Sequence, residues 1–288
     1  MIFKKIIKKA LPDFIWSKIK YVRNSERVET LKLNALNKVI LNSDNLLLSG
    51  KISVQDIIGN SDTEKAWQSY EKQIKALRIP DLTGGVNLGD RKAIFFIIHY
   101  FKPQSVLEIG THIGASTVNI ASALNHNLTH KQIKSSFSTL DIRDVNCKID
   151  KPWLKFGTEE SPKELLESLN LDLTTNFINQ NSLDYLKNAN ETYDFIFLDG
   201  DHSAQTVYKE VPKAIERLNK GGVILLHDYF SVGKSANPNN DFNSGPYLGI
   251  QRHINEGANI IVKPFGELPW TTKMNSKITS LALLLKKQ

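Results

Sequence analysis

Two apolar runs in this chain each end in an acid beside an imidazole. Tyr193-Asp194-Phe195-Ile196-Phe197-Leu198 leads into Asp199-Gly200-Asp201-His202-Ser203, and Gly221-Gly222-Val223-Ile224-Leu225-Leu226 leads into His227-Asp228-Tyr229. A single aspartate after a strand is usually a turn or cap residue. Two runs that both deliver Asp and His can instead converge on one crevice. Carboxylates without thiolates suit a hard divalent cation and make zinc the poorer fit. Asp199 and Asp228 are therefore expected to hold a divalent metal, Mg first, with Mn or Ca as alternatives. Such an ion lowers the pKa of a bound hydroxyl. Asp201 or His202 would then take the hydroxyl proton, and histidine has the better unperturbed pKa for work near neutrality.

A third feature lies upstream, where Val106-Leu107-Glu108-Ile109 runs into Gly110-Thr111-His112-Ile113-Gly114 and then a helical stretch. Gly110 and Gly114 allow close backbone approach to a ligand, and the helix start offers free N–H groups. The spacing is Glu-x-Gly-x-x-x-Gly rather than Gly-x-Gly-x-x-Gly. A carboxylate at that point repels a pyrophosphate and favours a cationic ligand. That argues against a nicotinamide-dependent oxidoreductase, the nearest reading from another enzyme class.

On these residues the chain resembles the class I S-adenosylmethionine-dependent methyltransferases. The resemblance implies a Rossmann-like α/β fold, with Glu108, Gly110, Thr111 and Gly114 around the methionine part of S-adenosylmethionine. Asp141, at the end of Ser138-Thr139-Leu140-Asp141, would hold the ribose hydroxyls, Asn181 and Ser182 would lie by adenine, and Asp199 would border the cofactor as well as the metal. LDGDHS and GGVILLHDY together resemble the metal-dependent O-methyltransferases that modify sugars of antibiotics and surface polysaccharides. In that group Asp201 matches the residue that acts as base. Tyr229 stands where relatives often have a second oxygen ligand, which leaves the third metal ligand unassigned. The resemblance runs from about Gly85 to the C-terminus, including Leu268-Pro269-Trp270-Thr271-Thr272, with Trp270 on the family's acceptor side. It implies methylation of a hydroxyl on a sugar or glycoconjugate. A small phenolic acceptor is the nearest alternative.

The elements that must position these groups follow from periodicity. After Pro103, short apolar runs alternate with helical stretches, the pattern of an α/β fold with a parallel sheet. Strands are expected at 105–109, 138–142, 176–179, 195–199, 223–227, 259–263 and 278–285, making seven. Helices are expected at 116–124, 162–169, 182–188 and 204–218. Ligands of such sheets sit beyond the carboxyl ends of the strands. The polar stretch from Ser231 to Pro246 leaves that edge and is expected to be a mobile loop over the acceptor.

Residues 1–85 read as a helical accessory region and 86–288 as the catalytic domain. Helices are expected at 65–77, capped by Ser61 or Asp62, and at 91–101. Residues 1–23 combine an apolar stripe with Lys4, Lys5, Lys8, Lys9, Lys18, Lys20 and Arg23 against Asp13 alone, so nearly all of the formal charge of +7 lies there. The rest is close to neutral, unlike a nucleic-acid-binding surface. The stripe suits packing against the body or a second subunit, hence a homo-oligomer, or peripheral contact with an anionic membrane face. It also keeps open a non-catalytic membrane-associated adaptor. The 288 residues, 41% hydrophobic and 23% charged, describe a globular chain with a core. One cysteine excludes an intramolecular disulfide and fits a reducing, cytoplasmic setting.

Overall fold

The computed structural model describes residues 26–288 apart from 82, 84 and 231–242. The amphipathic stripe of residues 1–23 and most of the expected loop after Ser231 lie outside the described residues. Helices α1 (26–34), α2 (Val54–Ile58), α3 (Ser61–Ala76) and α4 (Leu88–Phe101) precede the sheet. Then follow β1 (Ser105–Ile109), α5 (Ala115–Lys131), β2 (Ser136–Asp141), α6 (Pro162–Ser168), β3 (Thr175–Asn179), α7 (Ser182–Asn188) and β4 (Tyr193–Leu198). The chain closes with α8 (Ala204–Glu216), β5 (Leu218–Leu226), α9 (Gly245–Asn255), β6 (Ile260–Pro264) and β7 (Ala282–Lys286).

The seven strands form one sheet in the order β3-β2-β1-β4-β5-β7-β6. The chain leaves β1 towards one edge and returns to β4 on its other side, so the switch point lies between β1 and β4. The sheet is mixed, not wholly parallel as the alternation suggested, because β7 runs antiparallel to both β5 and β6. Antiparallel neighbours need no helical crossover. The stretch after β6 turns back on itself through bridges Glu267–Ile278 and Lys273–Ser276, which is why β7 starts later than the sequence suggested.

Alternation along each strand assigns its residues to opposite faces. Val106, Phe137, Phe195, Phe197, Val223 and Leu225 share a core with α2–α5, whereas Leu107, Leu140, Ile196, Leu198, Ile224 and Leu226 share one with α7–α9. Both faces are covered, so the central strands read as unbroken apolar runs. Helix α4 is buried almost all round, from Ala93 to Ile98.

Residues 46–79 do not pack as a separate unit. Ile52, Ile57, Ala66 and Trp67 belong to the same core as α4 and the sheet, and Leu46 and Leu48 bridge to Gly222 and Lys286 at the strands. The position near 80–86 expected as a domain boundary is therefore not a packing boundary, since α2 and the buried side of α3, with Ala66 and Trp67, pack on α4. Asn60, rather than Ser61 or Asp62, caps α3 by accepting from the N–H groups of Asp62 and Thr63. Helix α5 continues to Lys131, past the expected end at Leu124, because Asn125 finds tertiary partners: its amide donates to Tyr70 Oη and accepts from Asp172 N. Among the described residues no helix is long and apolar enough to cross a membrane.

Phe95 on α4 is fully buried, with the rings of Trp67 and Tyr70 at 5.3 and 5.9 Å. Phe95→Ala is expected to cost about 3–5 kcal/mol in urea denaturation, through lost burial and an unfilled cavity.

Candidate active site

The strand ladder continues beyond the formal strand ends and sets the site. Gly110 N donates to Leu140 O, Asp199 N to Ile109 O, His227 N to Leu198 O and Gln180 N to Asp141 O. Asp141, Gly110, Asp199 and His227 thereby stand side by side along one edge. Gly110 has φ +106°, and a Cβ there would lie 2.1 Å from Asp199 O, so only glycine permits this approach.

The floor of the edge is held by Glu108. Side-chain parity turns it towards α5, where it is fully buried and accepts 2.6 Å hydrogen bonds from Thr117 and Thr139. Burial pushes its carboxyl up to about 7, against the opposing hydroxyl donors. Thr111 is also buried, bonded to Thr139 Oγ1, and Gly114 starts α5 with its own N–H on Thr111 O. Glu108, Thr111 and Gly114 are buried beneath the turn and are absent from the lining of the crevice that opens above it.

Above the turn opens a crevice of about 480 Å³, lined among others by Gly110, His112, Asp141, Asn181, Ser182 and Asp199. Asp141 accepts from His112 N and from Arg143 N, both at 2.9 Å. Burial would raise its pKa, but hydrogen bonds from Arg143 and His112 outweigh that and lower it. Asn181 caps α7 by accepting from Leu183 N and Asp184 N, which leaves Ser182 as the first helical residue.

At the far wall Asp199 and His227 extend neighbouring strands in register and share the face turned to α4. His227 Nδ1 lies 2.7 Å from Asp199 Oδ1 and 3.6 Å from Asp228 Oδ1. Its Nε2 lies 3.5 Å from Asp90 Oδ2. These contacts sit off the N–H axes, so they are ion pairs rather than aligned hydrogen bonds. Burial alone would lower the pKa of His227; Asp199 and Asp228, with Asp90, more than offset it and hold it well above its ordinary value. His202 closes the group, with Nε2 3.6 Å from Asp199 Oδ1 and 3.8 Å from Asp228 Oδ2. Asp228 has φ +51°, which ends the strand, and its Oδ1 accepts from Ser280 Oγ.

Asp201 is turned to another task. Its carboxylate accepts from Ser203 N, Ser203 Oγ and Thr206 Oγ1 at the start of α8. Burial is outweighed by these donors, which lower its pKa and make it a weak proton acceptor. Tyr229 is buried, with its hydroxyl on Gln251 and its ring 5.8 Å from Tyr247. Trp270 is absent from the crevice lining: its Nε1 donates to Gly89 O and its ring packs on Phe96.

Sequence reasoning missed Asp90 and Arg143. Asp90 reads as an ordinary helix-start acid, and indeed both accepts from and binds back to Asn87, but its Oδ2 also faces His227. Strand parity could have placed Asp199 and His227 together, whereas nothing local could have brought α4 to them.

The fold is the Rossmann-like one of methyltransferases, a seven-stranded mixed sheet with helices on both faces. Residues 107–229 match the family model described as "Methyltransferase domain". The chain is also similar to a probable caffeoyl-CoA O-methyltransferase of Dictyostelium discoideum, 24% identical over 160 residues, which cover 56% of this chain and 62% of that protein. In fold it is similar to the SAH-bound Podospora anserina methyltransferase PaMTH1, with TM-score 0.51 and 16% identity over 88% of this chain and all of that one. A Bacillus cereus O-methyltransferase in complex with SAH aligns at TM-score 0.48 and 19% identity, over 81% of this chain and 95% of that one.

The raised Glu108 pKa has a measurable consequence. Its stabilising contribution is complete below about 4.5, the unfolded value, and is lost as pH rises through about 7. Urea denaturation of the wild type is therefore expected to lose roughly 3 kcal/mol from this group between pH 4.5 and 7.5. Glu108→Gln should remove that part of the pH dependence.

Proposed function

We propose that the chain is an S-adenosylmethionine-dependent O-methyltransferase that activates an acceptor hydroxyl at the Asp199–His202–His227–Asp228 edge. The observation that carries this reading is that Asp199 and His202 line one crevice with the glycine turn and Asp141 at the switch point, with His227 and Asp228 directly behind them.

Methyl transfer is an in-line displacement at the sulfonium carbon, so positioning supplies much of the rate and the acceptor must lose a proton. The turn at Gly110 admits the cofactor close to the backbone, and Asp141 accepts from its ribose. His202 Nε2 faces both carboxylates and takes the acceptor proton, which its partly exposed ring can pass to water. Asp201 holds the start of α8, and so keeps His202 in place, rather than acting as base. His227 keeps Asp199 and Asp228 apart and oriented.

The donor chemistry suits a divalent cation. Asp90, Asp199 and Asp228 face one imidazolium, so the cluster carries excess negative charge. Among the described residues no three His, Cys, Asp or Glu side chains are grouped to hold a metal ion. Magnesium, however, is commonly held by one or two carboxylates with water completing the shell. Asp199 and Asp228 would hold it, and the ion would supply Lewis-acid lowering of the acceptor hydroxyl's pKa.

A sugar or glycoconjugate hydroxyl is the acceptor we favour, on the resemblance of LDGDHS and GGVILLHDY to the O-methyltransferases that modify sugars. A phenolic acceptor is the second reading, supported by the name of the Dictyostelium relative.

Calorimetry should show S-adenosylmethionine binding to the wild type, strengthened or accompanied by magnesium binding that Asp228→Ala abolishes; no cofactor binding would overturn the reading. In methyl transfer to panels of sugars and catechols, His202→Ala should lower the rate by about 10²–10⁴-fold. Asp201→Asn should cost about 1 kcal/mol of stability by weakening the helix start, with a far smaller loss of rate.

A further inference from the structure

Asp141 is fully subscribed. An ionised carboxylate offers about four acceptor positions. Here Oδ1 takes Arg143 N at 2.9 Å and Arg143 Nε at 3.1 Å, while Oδ2 takes His112 N at 2.9 Å and Arg143 Nη2 at 3.1 Å. The two backbone donors belong to the glycine turn and to the strand exit, and they stay wherever the sheet puts them. The two guanidinium donors are different: they come from a side chain that is 44% exposed and borders solvent, whereas the Asp141 side chain is only 7% exposed.

The guanidinium is also held from its other side. Arg143 Nη2 donates to His112 Nδ1 at 3.1 Å, which requires that nitrogen to be unprotonated; His112 Nε2–H then donates to Thr83 O. His112 has φ +49° and packs edge-on against Phe156, with the Arg143 guanidinium 6.0 Å from the same ring. The Arg143 side chain thus spans the crevice-lining residues His112, Asp141 and Phe156.

We propose that Arg143 occupies the acceptor positions a ribose diol needs, so that it sets the affinity and the diol selectivity of the nucleoside site by competing with the ligand for Asp141. The inference rests on the reading of this crevice as the S-adenosylmethionine site. A vicinal diol can bond to Asp141 only by displacing the two guanidinium donors, because the two backbone donors cannot leave. The competition is between hydrogen bonds of charged and of neutral donors to one carboxylate, and its cost is moderated by the exposure of Arg143.

The test is calorimetric titration of S-adenosylhomocysteine, which lacks the sulfonium charge, into the wild type, Arg143→Met and Arg143→Lys. Arg143→Met should bind about three- to tenfold more tightly, and Arg143→Lys should fall between it and the wild type. A 2′,3′-dideoxy analogue should show no gain in Arg143→Met, since it has no diol to place on Asp141. Rising salt should tighten binding to the wild type by weakening the Arg143–Asp141 pair and should leave Arg143→Met less affected. Equal or weaker binding by Arg143→Met, or an equal gain with the dideoxy analogue, would overturn the proposal while leaving the cofactor site intact. Failure of wild type and variant alike to bind S-adenosylhomocysteine would instead overturn the reading of the crevice itself.

Discussion

The site depends on the common ending of β2, β1, β4 and β5. Parallel pairing sets these strands side by side, and the ladder runs one residue further through Gly110, Asp199 and His227. Because strand side chains alternate, this register sends Asp199 and His227 to the same face. Slippage by one residue would turn them to opposite faces and bury a carboxylate against α8. The contact of Gly110 with the Asp199 backbone ties the glycine turn to the same register. The turn and the Asp199–His227 pair are therefore positioned by one hydrogen-bond pattern.

That edge concentrates charge that would be costly to bury singly. Asp90 is fully buried and His227 nearly so, and neither is favourable there alone. Together they offset each other: imidazolium against carboxylates, with Asn87 donating to Asp90. Glu108 answers the same problem differently: it lies on the same side of the sheet but away from any cation, and burial drives it towards the protonated form.

The two neighbouring residues Asp201 and His202 show how local geometry divides labour. Asp201 stands two residues before the N-cap Ser203 and accepts from its N–H and hydroxyl and from the Thr206 hydroxyl in the first turn of α8. The next residue is then directed at the carboxylates across the crevice. Three hydrogen bonds hold the Asp201 carboxylate to the start of α8, while the His202 ring stands against Asp199 and Asp228.

The sequence by itself determined the glycine turn and the order of strands and helices over residues 105–226, because apolar period and strand-end chemistry are local properties; it missed seven residues of α5 and the first five of β5. Of the residues expected to converge, Asp199, His202, His227 and Asp228 meet while Asp201 turns to α8. The sequence also showed that Asp141 ends the strand beside the glycine turn. Only the tertiary structure decided what each acid does. Glu108 is under the turn because strand parity and the packing of α5 put Thr117 over it. Asp90 reaches His227 because α4 docks across the sheet, a contact more than a hundred residues apart in sequence. The inclusion of residues 46–79 in the common core, the antiparallel β7 and the hold of Arg143 on Asp141 were likewise decided by packing and pairing between distant segments, which sequence spacing does not encode.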